Sequence, residues 1–194
     1  MGYPETVETR RLMLRRWTLE DGAAMDAIWR ERDIWSALRP GTPFDPDAGP
    51  QMLERHVAHW RRNGFGLWAV SERPSPEIIG WIGASHPAFV PELADRIEIG
   101  WTLRPPAWGR GIATEGGAAA IDAAFEHLGT DEVISLIHPT NARSIGVARR
   151  LRMSHARDVL HPELGDDLRV YALSRSAWRS SSRRGASDQR TSSR

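Results

Sequence analysis

The ten residues from Pro105 to Thr114, Pro-Pro-Ala-Trp-Gly-Arg-Gly-Ile-Ala-Thr, carry the densest chemical signal in the chain. Gly109 and Gly111 let the backbone aim successive N–H groups at one point, and the helix expected from Ala113 adds its positive end and unpaired amides. Such a loop can cradle a pyrophosphate; it can equally be a glycine-softened turn between strand and helix with no ligand. Just upstream, Arg96–Leu103 alternates strictly, with Ile97, Ile99, Trp101 and Leu103 on one face and Glu98, Gly100 and Thr102 on the other. Glu98 thus shares its face with small residues, and a partly buried glutamate gains proton affinity that suits it to accept a proton, directly or through a water. Pairing with Arg96 or Arg104, or simple exposure to solvent, is the alternative reading of Glu98. Downstream, Asn141 and Ser144 stand three apart at the start of a helix, on neighbouring surface, where both residue types also serve as caps.

Several other chemistries are excluded by residue type. The chain has no cysteine, which removes thiol nucleophiles, thiolate zinc sites and iron–sulfur clusters. All 26 of its Lys+Arg residues are arginine, so Schiff-base enzymes and Walker-type nucleotide loops have no ammonium to use. His56 and His59 stand without an HExxH motif, and no metal is expected. No Gly-x-Ser-x-Gly elbow is present for a serine hydrolase. Gly109-x-Gly111 with Asp131 about twenty residues beyond resembles part of a dinucleotide fingerprint. However, Asp131 precedes its strand, Thr114 stands where the third glycine belongs, and the strands upstream form a meander.

The elements that must position these groups follow from periodicity and capping. Glu8–Trp17 reads as a strand and Thr18–Arg32 as a helix opened by Thr18 and Asp21. Arg39–Pro46 is a proline-rich loop, and Ala48–Arg62 a helix stopped by Asn63-Gly64. Phe65–Ser71, Ile78–Ala84 and Arg96–Leu103 form a three-strand meander. A helix over Ala113–Leu128, a buried strand over Val133–Ile137, a helix from Asn141 to Leu151, and strands over Met153–Leu160 and Asp167–Leu173 complete an order β-α-α-β-β-β-α-β-α-β-β. One α+β domain over residues 1–175 is expected, followed by an Arg/Ser-rich tail over 176–194 with the composition of a disordered segment.

These residues resemble the GNAT N-acetyltransferase superfamily, and within it the ribosomal-protein-alanine acetyltransferase branch (RimJ/RimL-like). The resemblance rests on Glu8–Arg15, Ile97–Leu103, Trp108-Gly109-Arg110-Gly111-Ile112-Ala113-Thr114-Glu115 and His138–Ser144, and covers about residues 8–178. It implies a mixed, mostly antiparallel sheet of about seven strands flanked by about four helices. It also implies direct transfer of an acetyl group from acetyl-CoA to a primary amine, with no metal and no covalent enzyme intermediate. Backbone groups of Trp101, Thr102 and Leu103 would bind the pantetheine arm as an added strand does. Trp108 and the amides from Gly109 to Thr114, through Ile112 and Ala113, would hold the pyrophosphate, with charge from Arg110 and a hydroxyl from Thr114. Asn141 would contact the cofactor, Ser144 would protonate the departing thiolate, and Glu98 would act as general base. Trp35 and Phe44 would line the acceptor pocket. Two residues depart from the pattern: Trp108 occupies a Gln/Arg position, and Arg152 replaces a glycine after the last helix, where a left-handed backbone would strain it.

As acceptor the resemblance implies first a protein N-terminal amine, such as that of a ribosomal protein. Alternatives are a small molecule of aminoglycoside or polyamine type, or a weakly catalytic acetyl-CoA-binding regulator. The net charge of +1 divides into −4 over residues 1–174 and +5 over 175–194. Cations carried on a tail do not make a folded basic face, so nucleic acid is not an expected partner. The sequence has neither a membrane-length apolar run nor a secretory signal, so a cytoplasmic location is expected, and a homodimer is among the assemblies the resemblance implies.

Overall fold

The computed structural model describes residues 2–38, 45 and 47–180. The strands β1 (Thr6–Glu8), β2 (Leu12–Arg16), β3 (Leu67–Glu72), β4 (Ile78–Ser85), β5 (Glu98–Leu103), β6 (Glu132–Ile137), β7 (Ser154–Leu160) and β8 (Asp167–Ser174) share one sheet. Their order is β1-β2-β3-β4-β5-β6-β8-β7, antiparallel throughout except between β5 and β6. Six helices are present among the described residues: α1 (Gly22–Trp29), α2 (Arg32–Leu38), α3 (Ala48–Asn63), α4 (Ile112–His127), α5 (Ala142–Arg150) and α6 (175–180). The fold is α+β with a mixed sheet, in the expected order of major elements.

Alternation sends the strand side chains to opposite faces, where three hydrophobic clusters form, the third joining Ile134, Val159, Leu168 and Val170 of β6, β7 and β8 with Val90 and Leu93. Leu12, Leu14, Val70, Ile82, Ile97 and Ile99 join α4 on one face. Trp17, Ala69 and Trp81 meet α1, α2 and α3 on the other. α4 lies very close to its neighbours: a Cβ on Gly116 would stand 2.5 Å from the Ile82 Cδ1, and one on Gly117 would stand 2.8 Å from a Leu151 methyl. That approach is the reason for two adjacent glycines inside a helix, where glycine otherwise weakens it.

Three expectations are corrected. The opening strand is divided, because Thr9 N–H donates to the Leu12 carbonyl and Leu12 N–H to the Thr9 hydroxyl, turning the chain into a hairpin. The first helix is also divided, into a short 3-10 turn over Leu19–Asp21 followed by α1 and α2. Six residues along a straight helix put Trp29 and Trp35 on different faces; the break at Arg30-Glu31 turns both inward, where their rings meet edge to face at 5.4 Å. Finally, residues 176–180 are helical, not disordered: the Trp178 indole N–H donates to Asp122 at 2.6 Å and its ring packs on the main core. The remainder of the tail and most of the proline-rich loop lie outside the described residues.

Arg152 has φ 64°, the one positive φ at a non-glycine position among the described residues. It follows α5, with its N–H bonded to the Arg149 carbonyl, so a glycine there should relieve the strain expected from the sequence. Arg152→Gly is expected to stabilise the fold by about 0.5–1 kcal/mol, a left-handed penalty of about 1–2 kcal/mol less the extra entropy of unfolded glycine. The urea midpoint checks it; an unchanged or lower midpoint would show that Arg152 is unstrained.

Candidate active site

β5 and β6 run parallel for a single register pair, Glu98 with Ile134, and then part. A backbone bond there runs from Ile134 N–H to the Ile97 carbonyl. Beyond it, side chains take over: the buried Ser135 hydroxyl donates to the Ile99 carbonyl at 2.6 Å, and Leu136 N–H donates to Glu98 Oε1 at 3.3 Å. On the opposite edge of β5, Arg104 N–H donates to Ile79 of β4. Backbone groups alternate along a strand, so the N–H groups of Trp101 and Leu103 and the carbonyl of Trp101 point into the gap. The Leu103 carbonyl is occupied by the Trp108 indole N–H at 2.6 Å. Pro105 and Pro106 bring no donors and end the strand.

The gap opens into a cavity of about 580 Å³. Of the residues expected to bind cofactor, Trp101, Thr102, Leu103, Trp108, Gly109, Gly111, Ile112, Ala113, Thr114 and Asn141 line it, as does Ser144. Gly109 and Gly111 both adopt left-handed φ, 71° and 76°, and Gly111 stands at the N-terminus of α4. The first amides of that helix have no intrahelical acceptors, and Ile112, Ala113 and Thr114, which carry them, line the cavity.

The cradle is tied to the beginning of the chain. Glu115, in the first turn of α4, accepts from the Thr9 hydroxyl (2.6 Å), Arg11 N–H (2.8 Å) and Arg11 Nε (2.6 Å), while Arg11 Nη1 donates to the Arg110 carbonyl at 2.8 Å. Burial alone would raise the Glu115 carboxyl, but the hydrogen bonds from Thr9 and Arg11 outweigh it and hold the group below its ordinary range.

Arg110 does not line the cavity. Its guanidinium makes two bonds to Glu72, at 2.6 and 2.8 Å. Two arginines missed in the sequence bring charge instead. Arg143, Gly146, Val147 and Arg150 form an i, i+3, i+4, i+7 stripe on α5 that lines the cavity. Arg143 lies over the Trp108 ring at 4.4 Å, and Arg150 Nε donates to the Thr114 hydroxyl at 3.3 Å. No carboxylate among the described residues pairs with either. Two arginines seven apart with a glycine between them was the legible signal.

Glu98 lies at the closed end of the gap, half-buried and not itself a cavity-lining residue. Its anticipated partners are engaged elsewhere, Arg96 with Glu132 and Arg104 with Glu31 and Glu77. Burial pushes its carboxyl up to about 7, with the Leu136 N–H bond opposing. Asn141 lines the cavity and also caps α5, its Oδ1 accepting from Ser144 N–H at 3.0 Å, so the capping reading holds alongside the other. Trp35 is 7% exposed and packs in the core against Trp29, while its neighbours Ile34, Ala37 and Leu38 line the cavity. Phe44 lies outside the described residues. Of the histidines singled out in the sequence, His56 is buried between Trp17 and Trp81, and burial drives its imidazole down to about 3, while His59 is half-buried with its Nδ1 against the Phe65 carbonyl.

A splayed parallel strand pair beside a glycine turn at a helix N-terminus is the kind of site that takes an extended, anionic ligand. The chain matches the acetyltransferase (GNAT) domain family over residues 11–154 and belongs to it. It is 29% identical over 189 residues to the FsC-acetyl coenzyme A-N(2)-transacetylase of Aspergillus fumigatus, covering 89% of this chain and 77% of that protein. An acetyltransferase structure from Agrobacterium tumefaciens is 28% identical, with a TM-score of 0.74 over 89% of this chain and 95% of that one. The ribosomal-protein-S5-alanine acetyltransferase of Vibrio fischeri shares the fold at 17% identity, with a TM-score of 0.68 over 89% of this chain and 98% of that one. The protein is an acetyl-CoA-dependent N-acetyltransferase, and no helix among the described residues is long and apolar enough to cross a membrane.

Because Arg150 reaches the cradle and Arg110 does not, their replacements should differ. Arg150→Gln is expected to weaken acetyl-CoA binding about five- to tenfold, the size of an exposed charge-assisted contact. Arg110→Gln should leave it within about twofold. Calorimetry with acetyl-CoA checks both, and equal losses would refute the assignment.

Proposed function

We propose that the enzyme moves the acetyl group directly from acetyl-CoA to a primary amine held between β5 and α2, with Glu98 as general base and Ser144 as general acid. The observation carrying this reading is the Glu98 carboxyl, without a cationic partner among the described residues, at the closed end of the gap and three residues before Trp101, whose backbone N–H points into it. One of the N–H groups of Trp101 and Leu103 polarises the thioester carbonyl. Glu98 takes a proton from the bound ammonium through a water, the freed amine attacks the thioester carbon so that the C–N bond forms as the C–S bond breaks, and Ser144 gives its hydroxyl proton to the departing thiolate and regains one from the acetylated nitrogen. The Ser144 hydroxyl lines the cavity and makes no hydrogen bond among the described residues, which leaves it available for that role.

The motifs of the ribosomal-protein-alanine acetyltransferase branch support a protein N-terminal amine as acceptor. A small-molecule amine is the second reading, favoured by similarity to the Aspergillus fumigatus transacetylase across most of this chain. Free thiol released from acetyl-CoA is the readout for either, and the absence of cysteine leaves no background from the enzyme.

Glu98→Gln separates the proton acceptor from the hydrogen-bond acceptor, since the amide oxygen can still receive Leu136 N–H. It is expected to lower kcat by about 10²–10³-fold, within the usual range for general-base catalysis, with little change in acetyl-CoA affinity. In the unmodified enzyme kcat should rise with pH through about 7, as Glu98 loses its proton, and the variant should lack that inflection. Stability moves in the other direction. A carboxyl raised above its unfolded value favours the fold in acid, and that advantage disappears as pH climbs through about 7. Glu98→Gln should therefore be more stable than the unmodified protein at pH 8, by up to about 2–3 kcal/mol, and closer to it at pH 5. A variant that keeps the inflection in its rate profile would remove Glu98 from the chemistry.

A further inference from the structure

The two halves of the cavity differ in chemistry. The cradle half carries the α4 amides, Arg143 and Arg150, and the phosphates of a bound acyl-CoA neutralise those cations. The half under α2 is walled by Ile34, Ala37 and Leu38, at i, i+3 and i+4, on the sheet face that carries Thr102. Leu38 is 41% exposed, one of four large hydrophobic side chains so exposed among the described residues, and it is the one that lines the cavity. An apolar side chain left open in a concave wall is a contact surface for a ligand. No aspartate or glutamate is among the described residues lining the cavity. Glu31, just before α2, is held by Arg104, and Asp33 on α2 does not reach the lining.

From this we infer that the acceptor is a primary amine attached beside an apolar group, with no second cation near it. The inference rests on the acetyl-transfer reading above and narrows it. A polyamine or aminoglycoside would bring two or more ammonium groups into a space whose described lining residues include no carboxylate, and an unpaired charge against apolar side chains is disfavoured. An amine flanked by an aliphatic or aromatic group buries that group on Leu38 and Ile34 and presents only the nitrogen that reacts. A peptide N-terminus with an apolar first residue and a small apolar amine share this chemistry.

The test uses the full chain, acetyl-CoA and four amines: the peptide Phe-Ala-Ala, 2-phenylethylamine, spermidine and kanamycin, with free thiol as readout. At least one of the first two should exceed both polycations in kcat/KM by about 30-fold or more, as expected when a site lacks the polar groups one substrate needs. The ratio of peptide to phenylethylamine then tells a protein terminus from a small molecule. Leu38→Glu supplies the missing counter-charge on the wall. It should lower kcat/KM for the apolar amine about tenfold and raise it for spermidine, while the acetyl-CoA Kd measured by calorimetry stays within about twofold and shows the protein folded. Spermidine or kanamycin used as well as the apolar amines, a preference unmoved by Leu38→Glu, or acetyl-CoA bound with none of the four amines consumed would each overturn the inference. Failure of the parent reading looks different: no heat with acetyl-CoA itself.

Discussion

The active site depends on a hydrogen-bond ladder that stops. Two parallel strands that stayed paired would hide the donors and acceptors of β5 in the sheet interior, as every buried backbone group must be satisfied somewhere. Here the ladder ends after one register pair because a serine hydroxyl and a glutamate carboxylate satisfy the next groups in line. Ser135 and Glu98 thereby set the depth of the gap. The exposed edge of Trp101 and Leu103 is the sort of template on which an extended amide-bearing chain can align, and such edges are rarely left uncovered in folded proteins.

Everything around the gap fixes its other walls. The double proline after Arg104 prevents β5 from continuing, and Trp108 then folds back so that its indole takes the Leu103 carbonyl and its ring lies beneath Arg143. Glu115 joins α4 to the β1–β2 hairpin over a sequence distance of more than a hundred residues. The cradle is thus formed by contacts within the protein, and a ligand need not organise it, which lowers the entropic cost of binding.

Much of this was legible in the residues. Glycines at 109 and 111 announced a left-handed turn before a helix, strict alternation around Glu98 placed that carboxyl on a face of small residues, and Arg152 betrayed its strained backbone through the glycine it replaces. What could not be read depends on contacts between distant segments. Arg110 stood beside the cradle in sequence, but Glu72 on β3 draws it away, while Arg150, on another helix, takes the place. Trp35 has the size and position of a pocket residue; only the break between α1 and α2 decides that it turns inward and that Leu38 faces the cavity. The divided first strand was hidden because a hairpin made by one threonine hydroxyl leaves the alternation of Leu12 and Leu14 untouched.

Glu98 and Glu115 are displaced from ordinary carboxylate behaviour in opposite senses, one by burial without a cation, the other by three hydrogen bonds. The fastening that shapes the cradle therefore persists in mild acid, well after the group at the bottom of the gap has taken up its proton. With Glu98 in its proposed role, occupancy and turnover answer to separate carboxyls, so a modest rise in acidity around neutrality leaves the enzyme charged with its donor yet idle, ready to resume without reloading once the medium recovers.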